Sequence, residues 1–257
     1  MTTALITGGS SGMGLEYARQ LAKKGCLLIL VSNQQEQLDK AAAELKKSYP
    51  SIPDVVTIWS DLAKVEAADE LHRLCSQKGI IPDILVCNAG MFFFKELTGS
   101  DVNLVSKMLT LHIETNTRLC LLFGEDMKRR GSGRIIIMAS MAAKLPTPGI
   151  TIYSATKAYL MSFGKSLWFE MKPYGVSVTT ICPAAVATPL YNLKPSLMKL
   201  GVRLGAIHTP EWLVKRALRA SKHSRRVVRP SLMNWYLPEL IRLIPAPVES
   251  RIWKKLK

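Results

Sequence analysis

Short apolar runs alternate with segments of helical period along almost the whole of this 257-residue chain. The apolar runs are rich in β-branched residues and lack polar alternation, as is typical of parallel strands that are covered on both faces. Seven such runs occur: ALIT, CLLILVS, VVTIW, DILVCN, GRIIIMAS, VSVTTIC and RRVV. Helix-period segments begin near Gly12, Gln34, Lys64, Ser100 and Thr151, and Thr209-Pro210 signals a later one. This alternation predicts right-handed βαβ crossovers and one α/β domain, in which helices cover both faces of a doubly wound seven-stranded parallel sheet.

The composition carries no sign of a secreted or membrane-spanning protein. No apolar run approaches the roughly 18 residues of a transmembrane helix, and Met1 to Thr7 are too few for a signal peptide. The five cysteines form no CxxC pair and lie mostly in apolar segments, so we expect reduced core thiols. The four histidines show no ligand spacing, so we expect no metal site. A cytoplasmic protein is the expectation.

A glycine-rich turn, TGGSSGMG, joins the first predicted strand to the first predicted helix. Gly8, Gly12 and Gly14 leave its backbone uncovered, so N–H groups can approach a pyrophosphate at the positive end of the helix. An ordinary tight connection could have the same sequence. Asn88-Ala89-Gly90 ends the fourth strand, where small residues suit contact with a cofactor ribose or with a neighbouring strand. Together the two turns indicate a dinucleotide site of the Rossmann type.

Ser140, Tyr153 and Lys157 stand in the pattern S-x12-Y-x3-K. On a helix Tyr153 and Lys157 share one face a turn apart, so an ammonium can lie beside a phenol and favour its phenolate. This matters because a tyrosine with an unperturbed pKa near ~10 is a poor base at neutral pH. The pattern therefore favours a phenol whose pKa is lowered by a neighbouring ammonium.

These motifs resemble, in order and spacing, those of the short-chain dehydrogenase/reductase family. The resemblance runs from the glycine turn, through Asp61-Leu62 after the third strand, to CPAAVATPL after the sixth. It implies nicotinamide-dependent hydride transfer between a ketone and a secondary alcohol, in which Tyr153 passes the proton, Ser140 holds the substrate oxygen and Lys157 binds the nicotinamide ribose. The cofactor-binding positions that it implies are Gly8, Ser10, Ser11, Gly12, Met13, Gly14, Ser32, Asn33, Asp61, Leu62, Asn88, Ala89, Gly90, Tyr153, Lys157, Pro183, Val186 and Thr188.

Two positions depart from the family pattern. His112 stands where the family commonly has an asparagine that helps to hold a proton-relay water, which makes it a fourth catalytic candidate. It could substitute as a polar group, the backbone could hold the water regardless, or the ring could simply be packed between helices. Asn116, one turn further on, is a weaker candidate. Ala184 replaces the glycine that usually follows Pro183, and it is small enough to let the backbone approach the nicotinamide.

Cofactor preference depends on the end of the second strand. NAD-preferring members usually have an aspartate there for the ribose 2′-hydroxyl, whereas NADP-preferring members omit it and offer a nearby arginine or lysine. Here Ser32 occupies the acidic position, Asn33 the usual arginine position, and Ser11 a position that is basic in some relatives. Without a carboxylate to repel a 2′-phosphate, and with Gln34 and its neighbours able to donate hydrogen bonds, NADP(H) is favoured over NAD(H).

Positive charge is concentrated near the C-terminus of a chain whose formal net charge is +16. Residues 203–257 carry 13 Lys/Arg against 3 Asp/Glu, and no recognisable nucleic-acid-binding module accompanies them. We expect a basic amphipathic extension over about 230–257, in which prolines prevent a membrane span. It could make peripheral contact with the anionic inner face of a membrane, cover the pocket or contact another subunit, and a solvated basic face is the remaining interpretation.

The substrate is predicted to be apolar. A cap over about 188–209 supplies Leu193, Leu197, Met198, Leu200, Val202 and Leu204, and Met91, Phe92, Phe93 and Phe94 border the cofactor edge. A reductase of a 3-oxo lipid or of 3-ketosphinganine fits better than a sugar enzyme, with a hydroxysteroid dehydrogenase as the alternative. A non-catalytic dinucleotide-binding or membrane-associated scaffold is the alternative of another class, against which the intact Ser140, Tyr153 and Lys157 argue. We expect a homodimer or homotetramer.

Overall fold

The computed structural model describes residues 1–145, 147–188, 190, 195–203, 207–241, 243–245, 247–248, 250–251 and 254. One seven-stranded sheet, parallel throughout, forms its centre, in the order β3-β2-β1-β4-β5-β6-β7. The strands are β1 (Thr3–Thr7), β2 (Leu27–Ser32), β3 (Val55–Trp59), β4 (Ile84–Cys87), β5 (Gly133–Met138), β6 (Val176–Ile181) and β7 (Val227–Val228). The predicted doubly wound α/β fold is confirmed.

Nine α-helices connect and follow these strands in the described part of the chain. They are α1 (Gly12–Ala22), α2 (Gln35–Ser48), α3 (Ala67–Gln77), α4 (Val102–Leu109), α5 (Thr115–Arg130), α6 (Thr151–Met171), α7 (Pro195–Arg203), α8 (Pro210–Lys222) and α9 (Met233–Ile241). A π-helical segment, Thr110–Glu114, joins α4 to α5, and two 3₁₀ turns span Met141–Lys144 and Lys172–Tyr174.

Alternating side chains of the strands enter two apolar layers, one on each face of the sheet. In β1, Ala4 and Ile6 lie in the layer that α1, α2 and α8 cover, whereas Leu5 lies in the layer that α3, α5 and α6 cover. Burial on both faces explains why the strands read as continuous apolar runs.

Two predicted helix starts were too early. The helix expected near Lys64 begins at Ala67, because Asp61 first holds a turn in which its backbone oxygen accepts a hydrogen bond from Lys64 N. The helix expected near Ser100 begins at Val102, since the Asp101 carboxylate caps it by accepting from Asn103 N at 2.9 Å. The start predicted at Thr209-Pro210 is correct, with the Thr209 hydroxyl accepting from Trp212 N.

The remaining compositional expectations concern thiols, metals and membranes. All five cysteines are buried and unbridged, as predicted. Within the described residues there is no group of three or more His, Cys, Asp or Glu side chains suited to a metal ion. Nor does any helix of the described chain have the length and apolar character that crossing a bilayer requires.

Candidate active site

A cavity of about 510 Å³ opens at the carboxyl ends of β1 and β4, on either side of the point where the strand order reverses. Connections leave β1 and β4 in opposite directions across the sheet, so no crossover covers this crevice. Every residue that the sequence assigned to the cofactor or to catalysis lines the cavity, with the exception of Gly14 and the weaker candidate Asn116. Residues from eight separate parts of the chain are thereby brought to one place.

The glycine turn forms one wall of the cavity. Gly8 and Gly12 have φ values of +64° and +52°, which only glycine adopts without strain. Gly14 has a packing role, because a Cβ there would lie 1.9 Å from Gly8 O. The Ser11 side chain makes no capping hydrogen bond within the described structure, so the first N–H groups of α1 remain open to an anion.

Hydrogen bonds between the ends of β1 and β4 shape the floor. The Thr7 hydroxyl accepts from Asn88 N at 2.9 Å and from Ala89 N at 3.0 Å, while Asn88 Nδ2 donates to Thr7 O. Asn88 Oδ1 and Thr188 Oγ1 are buried and have no partner among the described residues. Unused hydrogen-bonding capacity of this kind at the wall fits a polar ligand such as a dinucleotide.

At the end of β2 the wall is uncharged. The Ser32 hydroxyl accepts from Ser10 Oγ at 2.9 Å and from Gln34 N at 3.2 Å. A second cavity of about 460 Å³ shares Ser10, Ser11 and Gly12 with the first and is also lined by Lys40 and Arg19. Arg19 is paired with Glu44, whereas exposed Lys40 makes no ion pair within the described chain. Sequence reasoning missed Lys40, because it lies in the second turn of α2, beyond the positions at which a selectivity cation was sought.

Ser140, Tyr153 and Lys157 converge at the inner end of the main cavity, and all three are buried. Ser140 follows β5 and caps the first 3₁₀ turn, its Oγ accepting from Ala142 N at 3.1 Å. Tyr153 and Lys157 lie in the first two turns of α6, with Lys157 Nζ 5.6 Å from the centroid of the Tyr153 ring. The ammonium donates to Met138 O at 2.9 Å. Burial lowers the pKa of Lys157 from 10.5 to about 8, so most of it is charged at neutral pH.

His112 lies in the π-helical segment and is completely buried. Both ring nitrogens have protein partners: Nε2 is 3.0 Å from Met91 N and Nδ1 is 2.9 Å from Thr156 Oγ1. Burial, and secondarily the charge of Lys157, holds the pKa of His112 well below 6.5. Asn116, the weaker candidate, donates to the backbone oxygens of residues 111 and 112.

The aromatic loop after β4 packs against the start of α6. The Phe92 ring meets the Tyr153 ring edge to face, with centroids 5.0 Å apart, and Lys95 N donates to Gly149 O at 2.8 Å. Of the apolar residues predicted for the substrate pocket, Met91 lines the main cavity, together with Leu190, which was not singled out. In the predicted cap, Leu193, Leu204 and the side chain of Leu197 lie outside the described residues, and Leu200 of α7 is exposed.

Known proteins resemble the chain over most of its length. A family model described as short chain dehydrogenase matches residues 2–196. A very-long-chain 3-oxoacyl-CoA reductase of Macaca fascicularis is 30% identical, over 92% of this chain and 75% of the relative. A short-chain dehydrogenase from Sphingobium yanoikuyae in complex with NADPH is 27% identical, with a TM-score of 0.80 over 96% of this chain and 97% of that one. A bulky-bulky ketone specific alcohol dehydrogenase from Comamonas testosteroni is 26% identical, with a TM-score of 0.78 over 96% of both chains.

Proposed function

The chain belongs to the short-chain dehydrogenase/reductase family and is an NAD(P)-dependent oxidoreductase, and from this we propose that it reduces a lipid-like ketone to a secondary alcohol with NADP(H). The observation that carries the proposal is the convergence of Ser140, Tyr153 and Lys157, all buried, on one cavity with the glycine turn. A binding or scaffold protein would have no need of a buried phenol and ammonium so arranged.

The residues of this chain divide the chemistry among them. When bound, the nicotinamide cofactor supplies the hydride. Tyr153 Oη gives its proton to the carbonyl oxygen as negative charge develops there, and the Ser140 hydroxyl donates a hydrogen bond to the same oxygen. The Lys157 ammonium, held on Met138 O, lies near enough to the phenol to favour the phenolate that the transfer leaves behind.

The preference for NADP(H) is supported by charge. No carboxylate stands at Ser32 to repel a 2′-phosphate, and Ser32 and Ser10 offer hydroxyl groups. Lys40 lines the adjoining cavity and supplies a cation there. The similar protein from Sphingobium yanoikuyae is described with NADPH bound, which agrees with this assignment.

The substrate class is supported by the relatives and by the wall of the cavity. A curated relative at 30% identity is named a very-long-chain 3-oxoacyl-CoA reductase. In this chain Met91 and Leu190 line the cavity and Phe92 covers the Tyr153 ring, so the carbonyl end of an apolar chain finds apolar contacts. We therefore assign 3-oxo lipids, including 3-ketosphinganine, as the substrate class.

We also propose that α9 docks on an anionic membrane surface. Exposed apolar side chains follow one another along it and just beyond it at helical spacing, namely Leu232, Trp235, Tyr236, Leu240 and Leu243. We call this set the α9 stripe. Asn234, on the opposite side, is buried and donates to Cys182 O at 2.8 Å, which fixes the helix to the end of β6. Arg229 lies over the Trp235 ring at 4.6 Å, and the surrounding chain is strongly basic, so an anionic lipid surface is the complementary partner.

The enzymatic proposal is tested by NADPH oxidation with a panel of 3-oxoacyl thioesters, 3-ketosphinganine and a ketose. We expect turnover of the lipid ketones, and Tyr153→Phe should lower kcat about a thousandfold, because it removes the phenol proton that is transferred while leaving the ring. The matched control is Tyr159→Phe, an exposed phenol of the same helix that pairs with Thr117, which should keep kcat within about twofold.

The same assay compares the cofactors. The ratio of kcat/KM with NADPH to that with NADH should exceed one in the wild type and fall at least about tenfold in Ser32→Asp, because the new carboxylate repels the 2′-phosphate. Full turnover by Tyr153→Phe would contradict the chemistry, preference for the ketose would contradict the substrate class, and an unchanged ratio would contradict the cofactor assignment.

A further inference from the structure

Hydrogen bonding determines the protonation of the His112 ring. Met91 N is a backbone donor, so the Nε2 atom that lies 3.0 Å from it must accept. A neutral ring then carries its single proton on Nδ1. The low pKa agrees with a neutral ring, and a second proton would place a donor on Nε2 against the donor of Met91.

From Nδ1 the chain of hydrogen bonds continues to the backbone of Tyr153. Nδ1 donates to Thr156 Oγ1 at 2.9 Å, and the Thr156 hydroxyl donates to Tyr153 O at 2.8 Å. Along this path the imidazole and the hydroxyl each donate one hydrogen bond and accept one. Only the direction that runs from Met91 N to Tyr153 O therefore satisfies every donor and acceptor. The Gly90-Met91 backbone is thereby connected to the carbonyl of Tyr153 through two side chains that are both completely buried.

The Tyr153 ring is also held by contacts at its sides. The His112 ring meets it at 5.9 Å between centroids and 71° between planes, and Phe92 meets it at 5.0 Å and 89°. A Cβ at Gly90 would come within 3.1 Å of His112 Nε2, so the absence of a side chain at Gly90 leaves room for the imidazole. His112 therefore touches both the loop that borders the cofactor cavity and the phenol.

We propose that His112 is a positioning residue, whose neutral Nδ1–H ring fixes the separation between the loop at residues 90–92 and Tyr153 through Thr156. The proposal rests on the proposed reductase function. With both nitrogens engaged, the ring has no site left for a relay water. A residue acting in this way aligns the phenol with the substrate oxygen, so its loss lowers kcat more than it weakens substrate or cofactor binding.

Thr156 allows a test that leaves the cavity wall untouched, because it is buried and does not line the cavity. Thr156→Val keeps the shape and removes the hydroxyl, and it should lower kcat about tenfold or more, with KM and the NADPH Kd within about threefold. Thr156→Ser keeps the hydroxyl and should restore kcat to within about twofold of the wild type. The shape of the kcat/KM pH profile should be the same in all three proteins.

A double-mutant cycle tests the shared path. His112→Phe should lower kcat about as much as Thr156→Val, and the double variant should be no worse than His112→Phe, because both changes break the same chain. Multiplying effects would overturn the proposal, as would wild-type kcat in Thr156→Val. A changed pH profile confined to His112→Phe would instead identify a proton relay. If His112→Phe does not fold, the two Thr156 variants still decide the question.

A spectroscopic test is independent of activity. Long-range ¹H–¹⁵N correlation spectra of the full chain at pH 7 should show His112 as the neutral Nδ1–H tautomer, whereas an Nε2–H or charged ring would overturn the proposal. No NADPH-dependent turnover of any panel ketone by the wild type, together with the Nδ1–H tautomer at His112, contradicts the reductase function alone. Loss of turnover in Tyr153→Phe, together with unaffected Thr156→Val, contradicts the positioning role alone.

Discussion

At the scale of single residues, burial gives Lys157 and His112 properties that their side chains lack in water. Lys157 and His112 are both held towards the neutral form by burial, and the positive charge of Lys157 adds to the effect on His112. The shift in pKa has a different consequence for each side chain. Lys157 keeps most of its charge at neutral pH and can act on the Tyr153 phenol, whereas His112 is neutral and serves as a hydrogen-bonding bridge.

Lys157 predicts a pH dependence of stability in the cofactor-free protein. Its pKa is about 8 when folded against 10.5 for the free side chain, so between these values the unfolded chain holds a proton that the folded chain lacks. Raising the pH from 8 to 10.5 therefore favours folding, by roughly 3 kcal/mol at most. Urea unfolding of the wild type and Lys157→Met should show the difference in their unfolding free energies changing in favour of the wild type across this window.

The matched control for that experiment is Lys47→Met, at an exposed position in the last turn of α2. Since Lys47 is exposed, its replacement should produce no comparable change between pH 8 and 10.5. The contrary result is a wild type that exceeds Lys157→Met in unfolding free energy by an amount that is constant with pH or declines as the pH rises. Either behaviour would show that the ammonium is not desolvated as described.

Sequence reasoning could find Ser140, Tyr153 and Lys157, because helical periodicity alone places the last two on one face. It could not decide what His112 does. The partners of His112 are 21 and 44 residues away in the chain, and their contact depends on how the loop after β4 returns against α6. For the same reason, Lys40 becomes a candidate only when α2 is seen beside the glycine turn.

At the scale of secondary-structure elements, the site depends on how closely α6 approaches the sheet. Gly164, three turns after Tyr153, faces β6 so closely that a Cβ would lie 2.1 Å from Thr180 Oγ1. The start predicted for α6 at Thr151 is correct. The interruption between α4 and α5 was not predicted. There Asn116 and Thr117 donate side-chain hydrogen bonds to backbone oxygens of the π-helical turn, an arrangement that residue propensities do not reveal.

Two glycine substitutions test this approach of helix and sheet. Gly164→Ala forces α6 away from Thr180 and should destabilise the protein by about 1–3 kcal/mol, which corresponds to a fall of several degrees in Tm. Gly124→Ala is the control in α5, where the nearest atom to a new Cβ is 3.6 Å away. It should be neutral or stabilising by up to about 1 kcal/mol through helix propensity. Thermal unfolding measures both, and equal shifts in the two variants would contradict the close packing.

At the scale of the whole molecule, the order of the strands places the cavity, and the charge distribution places the surface proposed for the membrane. The parallel sheet and its order follow from the alternation of strand and helix, which a sequence displays directly. The distribution of surface charge and apolar side chains depends on tertiary packing. In the described structure Asn234 turns inward, so the α9 stripe faces outward, near the end of the sheet that carries the cavity. A docked α9 would thus bring the cavity mouth close to a lipid surface.

The α9 stripe predicts salt-sensitive binding of the full-length protein to anionic vesicles. Basic side chains contribute attraction that salt screens, and exposed Tyr236 and Leu240 contribute apolar burial that salt does not remove. Sedimentation should show binding to phosphatidylcholine vesicles with about 30% phosphatidylserine, weaker binding at about 0.5 M salt and little binding to phosphatidylcholine alone. The double variant Tyr236→Ser/Leu240→Ser should weaken anionic binding at least about tenfold, because two apolar side chains no longer enter the bilayer.

Leu121→Ser supplies the matched control, because Leu121 is equally exposed but lies on α5, away from the stripe. It should leave vesicle binding within about twofold of the wild type. Equal loss in both variants, or the absence of salt-sensitive binding, would contradict membrane docking. Light scattering on the same samples tests whether another subunit, rather than lipid, covers this surface. A smaller particle mass for Tyr236→Ser/Leu240→Ser than for the wild type would assign the α9 stripe to contact between subunits, whereas unchanged mass with lost vesicle binding is the result that docking on lipid requires.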